Sequence, residues 1–156
     1  MGQHTPTPTE LTNMIMLEDP KTQQVLVENR KNPNWPGITF PGGHIEPGET
    51  ITNSIIRETV EETGLTIIHP QLVGIKEWPI NQGRYLVFLF KCHQFSGQLK
   101  AGREGEVFWT SKESLQDGTY PLPPTFLEML PVFEQPNLNE LALIDTGASE
   151  WTLRYQ

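Results

Sequence analysis

GHIEPGETITNSIIRETVEETGL, residues 43–65, sets glycines, acidic residues and one arginine at fixed separations. Gly43 is followed after five residues by Glu49, after seven more by Arg57-Glu58, after two by Glu61-Glu62, and after one by Gly64 and apolar Leu65. From Thr50 to Thr63 there is neither proline nor glycine, and Ile51, Ile55, Ile56 and Val60 recur about four residues apart, which predicts an amphipathic helix. Gly64 stands where a residue tolerant of the left-handed conformation ends a helix. Glu58, Glu61 and Glu62 then lie within roughly 100° of one another on the helix surface. Like charges so spaced repel by a few tenths of a kcal/mol per pair, and they sit at the negative end of the helix dipole. A cation should offset them. Hard divalent ions, Mg²⁺ above all, take a few protein carboxylates together with water and substrate phosphates. Arg57 can orient a glutamate through a two-pronged hydrogen bond.

The segment in front of the helix has its own logic. Phe40-Pro41-Gly42-Gly43 follows an apolar stretch, so the chain leaves a strand and turns where paired glycines allow unusual backbone angles and close approach to a ligand. Glu46 and Glu49 flank a second turn, Pro47-Gly48. Glu49 falls on the spacing; Glu46 does not and reads as solvated surface.

The complete spacing resembles the Nudix box of the MutT/Nudix hydrolase family, and departs from it only at Thr59, a place commonly aliphatic. The box covers 23 of the 156 residues, and the order of elements around it is also similar. The resemblance implies a Nudix α/β/α sandwich with a mixed β-sheet. It implies Mg²⁺ or Mn²⁺ as cofactor, bound by Glu58, Glu61 and Glu62 with the Gly43 carbonyl; Arg57 would orient the glutamates and Glu49 would brace the loop against the helix. Many members add a glutamate from a later loop, and Glu104, ahead of the apolar Val107-Phe108-Trp109, is our choice over Glu106. The implied activity is hydrolysis of a nucleoside triphosphate to monophosphate and pyrophosphate. An oxidised purine nucleotide such as 8-oxo-dGTP is the leading substrate, with Asn34, Trp35, Gly42 and Trp78 as its binding residues. ADP-ribose or another nucleoside diphosphate derivative is the alternative, and a non-catalytic nucleotide-binding module is the reading from a different class.

Composition narrows the partners. A formal charge of −8 argues against a basic groove for polymeric nucleic acid and suits a small nucleotide that arrives with its metal. We expect a monomer or homodimer. The length suits one domain, residues 10–156, after a disordered lead at 1–9. Cys92 is the only cysteine, so an intrachain disulfide is excluded, and a small buried thiol is expected. His4, His44, His69 and His93 lack zinc-ligand spacing. No apolar run approaches the roughly 20 residues of a membrane helix, which makes the cytoplasm the default location.

Along the chain, Leu11–Glu18 and Gln23–Glu28 read as a hairpin across Asp19-Pro20-Lys21-Thr22, and Asn29–Gly37 as a loop. Thr66–His69, Gln71–Trp78 and Arg84–His93 read as strands, the last two joined by a turn at Asn81-Gln82-Gly83. Val107–Thr110 is a further strand, Lys112–Gln116 a helical turn, and Pro124–Phe133 a short helix opening with proline. Leu141–Asp145 and Trp151–Tyr155 are the closing strands.

Overall fold

The computed structural model describes residues 2–156. Ten strands and three helices follow in the order β1 (Thr9–Leu17), β2 (Val25–Arg30), β3 (Gly37–Thr39), α1 (Ile51–Thr63), β4 (Leu65–Ile67), β5 (Gln71–Ile80), β6 (Gly83–Cys92), β7 (Phe95–Gly97), β8 (Gly105–Thr110), α2 (Lys112–Gln116), α3 (Phe126–Glu134), β9 (Glu140–Ile144) and β10 (Thr152–Tyr155). Residues 2–8 carry no regular secondary structure and are exposed; Met1 lies outside the described residues. The Pro8 carbonyl accepts from the Arg84 N–H at 2.9 Å, just ahead of β1.

Five strands form a mixed sheet in the order β1-β6-β5-β9-β10, with β1 parallel to β6 and β5 parallel to β9. A three-stranded sheet, β3-β2-β8, and a two-stranded one, β4-β7, complete the β structure. Strand alternation sends Met16 of β1 into one core with Phe40, Val25, Val27, Met129 and Phe133. It sends Ile15 and Leu17 into a second core with Leu26, Ile55 and Phe90. α3 therefore packs on one side of the β structure and α1 on the other, and the expected α/β/α sandwich with a mixed sheet is what forms.

The expected hairpin of the first two strands is corrected. The connection is tight, with a bridge between Glu18 and Val25, but β1 pairs with β6 whereas β2 pairs with β3 and β8. The two strands diverge into separate sheets because each completes a different set of non-local pairings. Part of the expected 29–37 loop is strand, since Asn29 and Arg30 extend β2. The third helix also starts later than expected. Thr125 takes φ +62° after two prolines, so the helix begins at Phe126, and Pro131 lies inside it.

Helix α1 runs as expected from a Thr50 cap, whose hydroxyl accepts the Asn53 N–H, to Gly64 at φ +77°. Ile55 is buried and Ile51 and Ile56 pack against the second core, as the isoleucine pattern predicts, but Val60 does not join them. Val60 is 42% exposed, while Ser54, Ile55, Thr59, Glu62 and Thr63 are buried. The buried hydroxyls return to the helix backbone: Ser54 Oγ to the Ile51 carbonyl at 2.6 Å, Thr59 Oγ1 to Ile55 at 2.7 Å, and Thr63 Oγ1 to Thr59 at 2.6 Å. Satisfied in this way, they cost little to bury, which explains why Thr59 is tolerated in an aliphatic position. Cys92 is buried, as expected, with its thiol directed at the Ile68 carbonyl.

Gly64 closes α1 and starts β4, so its backbone angle sets the exit direction. A Cβ there would meet the Gln98 carbonyl oxygen at 2.7 Å as well as the strain of positive φ. Gly64→Ala should lower unfolding free energy by about 1–2 kcal/mol, read as a lower urea midpoint at unchanged slope.

Candidate active site

β1 forms an edge of the five-stranded sheet, and the glycine turn lies along that edge. Asn13 and Ile15 donate their N–H groups to the Gly43 and Pro41 carbonyls, and Ile45 donates to Leu11, each at 2.9 Å. The Asn13 side chain fixes the turn a second time: its Oδ1 accepts from the Gly43 N–H at 2.9 Å, and its Nδ2 donates to Ser54 Oγ on α1 at 2.7 Å. The Gly42 N–H donates to Glu62 Oε2 at 2.9 Å. A side chain is excluded at Gly42, where a Cβ would overlap the Asn13 backbone carbonyl, and one on Gly43 would displace the Glu58 carboxylate. The Gly43 carbonyl, expected as a metal ligand, already accepts one hydrogen bond and keeps one lone pair. Asn13 and Ser54 were not legible as site residues, since nothing in their local sequence marks them.

Arg57 joins the loop to the helix. Its Nε and a terminal nitrogen grip both oxygens of Glu49, at 3.0 and 2.8 Å, and the same terminal nitrogen reaches the His44 carbonyl at 3.1 Å. The other terminal nitrogen is 3.1 Å from both Glu58 Oε1 and Glu61 Oε2. These carboxylates, Glu49 first, raise the guanidinium pKa further above its ordinary range, and the Arg57 hydrogen bonds hold Glu49 below the usual carboxylate value. Glu58 goes the other way: burial raises it, against the pull of Arg57. Glu46 is mostly exposed, at 3.8 Å from the guanidinium, as its place off the spacing suggests.

The three helix glutamates differ in exposure, and Glu58, its side chain 13% exposed, stays close enough to Glu62 for their charges to interact. Glu62 points inward and is buried, whereas the Glu61 side chain is 57% exposed and salt-bridged to Arg57. Among the described residues, the carboxylates that meet are Glu28, Glu62 and Glu104, each offering an oxygen within 4.8 Å of the others. Glu104 is thus brought into the site from the residue before β8. Glu28, on β2, is fully buried and is the member sequence reasoning missed. Alternation along β2 puts it on the same side as Leu26, facing α1. That period of two was the available signal, but an acidic residue ending an apolar strand looks like solvated surface until its neighbours are known.

This cluster is electrostatically incomplete. Neither Glu28 oxygen nor Glu62 Oε1 has a hydrogen-bond partner. Burial, then the Glu28 charge, pushes the Glu62 pKa strongly up, and burial raises Glu28 against the nearby Arg30. Orphaned, buried, mutually repelling oxygens are the donor set a hard divalent cation requires, so the residues fit such an ion.

Of the cluster, Glu104 lines a cleft of about 580 Å³, within the range of small-molecule sites. Its walls include Gly42, Gly43, Trp35, Trp78 and Glu104, five of the residues singled out in the sequence. Asn34 is not among them; its N–H turns onto the Asn32 side chain, and Asn32 lines the cleft instead. Trp78 stacks on Tyr85 with ring centroids 4.3 Å apart and planes 12° from parallel. Arg30, Lys76 and Trp151 also face the cleft and were not legible beforehand.

Comparison with known proteins agrees with this geometry. The NUDIX domain model matches residues 9–131. The uncharacterized Nudix hydrolase YvcI of Bacillus subtilis (strain 168) is 34% identical over 113 residues, 69% of this chain and 68% of that protein. Two relatives matched over shorter spans carry different activities. They are an ADP-ribose pyrophosphatase of Methanocaldococcus jannaschii, 35% identical over 56% of each chain, and an 8-oxo-dGTP diphosphatase of Haemophilus influenzae, 29% identical over 54% of this chain and 62% of that one. The crystal structure of the mutator MutT protein from Bacillus halodurans superposes with a TM-score of 0.71 at 24% identity, covering 94% of this chain and 97% of that one. With the box spacing, the loop clamped to the acidic helix and the family match over most of its length, the chain belongs to the Nudix hydrolases, enzymes that act on phosphoric anhydride bonds.

Proposed function

We propose that the chain hydrolyses a purine nucleoside triphosphate to the monophosphate and pyrophosphate, with 8-oxo-dGTP as the leading substrate and Mg²⁺ or Mn²⁺ as cofactor. The observation that carries it is the meeting of Glu28 and Glu62 with Glu104, which itself lines a cleft with aromatic walls. These three would hold the ion with the spare lone pair of the Gly43 carbonyl. Glu58 and Glu61, which share one nitrogen of Arg57, are proposed as further ligands on the solvent side. When bound, the ion would neutralise phosphate charge and make water more acidic.

The chain's own residues do the rest. Arg57 and Asn13 fix the glycine turn relative to α1, so that the backbone of Gly42 and Gly43 presents a flat wall to the phosphates. A carboxylate oxygen of the site left free by the ion would take the proton that the attacking water loses. The water oxygen bonds to phosphorus as the bridging P–O bond breaks, and pyrophosphate departs. Trp35 and Trp78 supply aromatic surface for the base. The similarity to a diphosphatase for 8-oxo-dGTP supports this choice. The similarity to an ADP-ribose pyrophosphatase favours ADP-ribose as the second reading.

Steady-state rates over a panel of 8-oxo-dGTP, dGTP, dATP and ADP-ribose with Mg²⁺ should favour the triphosphates, 8-oxo-dGTP first. A preference for ADP-ribose would transfer the proposal to the second reading. Glu104→Gln should cut turnover at least tenfold and Glu28→Gln about a hundredfold or more, measured as kcat for the best substrate; wild-type rates in both would remove the cluster from the chemistry.

Stability should report the ion independently of activity. Glu62, Glu28 and Glu58 have folded pKa values raised above the ordinary 4.5, so the folded chain binds more protons than the unfolded one as pH rises from that value. Metal-free protein should therefore lose stability from about pH 4.5 into the neutral range. Added Mg²⁺ should restore more stability at pH 8 than at pH 5, seen in melting curves with EDTA or with Mg²⁺. Equal gains at both pH values would count against ion binding at these carboxylates.

A further inference from the structure

The polar residues assigned so far serve the metal and the glycine turn; Lys76 has no such role. It is 93% buried, yet it lines the cavity. Cross-strand pairing places Thr12, Val87, Lys76 and Leu141 in one row across the large sheet. Lys76 is thus two strand spacings, about 10 Å, from Thr12 on β1, the strand that carries the glycine turn. The cleft wall it shares includes apolar Val87, Phe126, Met129 and Leu143, with Trp78 beside it; the one charge that bears on it is the exposed Glu128, which opposes the lowering of its pKa by burial.

The ammonium group is anchored and only partly used. It donates to Thr125 Oγ1 at 2.7 Å and to the Thr125 carbonyl at 3.2 Å. Thr125 is itself held at φ +62°, with its hydroxyl donating to the Pro124 carbonyl at 2.6 Å. Nζ also lies 5.6 Å from the Trp78 ring centroid. An ammonium has three protons; among the described residues the third has no protein acceptor. A buried cation in an apolar chamber is expensive unless it is paired or serves a ligand. Phosphates belong at the carboxylate end, where a cation can bridge them; the distant chamber, with an aromatic side and apolar walls, suits a flat ring. The ring atom opposite Nζ must be an acceptor.

We propose that Lys76, braced by Thr125, selects nucleobases that present a keto oxygen, as guanine and 8-oxoguanine do, over those that present an exocyclic amino group there, as adenine does. Lys76 has no lone pair when charged, so an amino group would set donor against donor and leave both unpaired. The proposal deepens the reading of the site as one for purine nucleotides and rests on it.

The test is Lys76→Met, which keeps the unbranched stem as far as Cε and removes the buried charge, a change that need not destabilise the fold. For wild type, kcat/KM for dGTP and 8-oxo-dGTP should exceed that for dATP. The variant should lose about tenfold or more on both guanine nucleotides, mainly through KM, with dATP unchanged or improved. Titration calorimetry with dGMP and dAMP, without metal, should show the same change in preference. This binding measurement separates the two ideas, since it holds even if the wild type fails to cleave triphosphates. Lys76→Gln, whose amide can turn to either edge, should bring the two bases toward parity, and it serves if the Met variant does not fold. A guanine-to-adenine ratio unchanged by either substitution, or a wild type that binds dAMP as tightly as dGMP, overturns the proposal.

Discussion

The grip of Arg57 on Glu49 is the contact on which the rest of the site depends. One guanidinium holds a loop carboxylate in both prongs, a loop carbonyl, and two carboxylates of its own helix. Without it, Glu58 and Glu61 would repel each other on adjacent helical turns, and residues 44–49 would have no charged attachment to α1. Such a fork suits arginine and not lysine, because several donors must leave one rigid plane in fixed directions. The arrangement also sorts the glutamates. Glu49, Glu58 and Glu61 all bond Arg57, Glu61 alone of the three standing well out in solvent, while Glu62 turns inward to Glu28 and Glu104, where among the described residues a cation is wanted.

A second constraint follows from the close approach of three backbones. The glycine turn lies against β1 on one side and the carboxylates of α1 on the other, so a side chain on Gly42 would strike the Asn13 backbone and one on Gly43 would displace Glu58. Asn13 stitches all three together by bonding Gly43 and Ser54. The helix face beneath is unusually polar for a core, yet its hydroxyls are satisfied within the helix. The unsatisfied atoms are concentrated at the carboxylates, which is what distinguishes a site under electrostatic tension from an ordinary buried polar surface. Lys76 repeats the theme at the far end of the cleft with the opposite charge.

Much of the fold was legible because its signals are local. Thr50, the unbroken run to Thr63 and Gly64 bounded α1; alternation and turn residues located most strands; Glu104 was reachable because it precedes an apolar strand. The failures share a cause. The β1–β2 connection reads as a hairpin since a tight turn between two strands is a local signal, whereas the sheets those strands join depend on partners more than sixty residues away, such as β6 and β8. Val60 was placed inward because an isoleucine and valine stripe is the strongest periodic signal in the helix, yet the protein buries the neighbouring arc that carries Thr59 and Glu62.

The sequence by itself determined the acidic helix, the glycine turn ahead of it, the arginine between them and hence the family, since each rests on spacing within some two dozen residues. Only the tertiary structure decided which carboxylates meet. Glu28 joins Glu62 and Glu104 by strand register, Glu61 is left at the rim by the pull of Arg57, and Asn13, Lys76 and Trp151 reach the cleft from strands and a tail remote in the chain. Side-chain periodicity says which residues share a face. What that face meets depends on how distant segments close around it, and this is a property of packing that no single stretch of sequence contains.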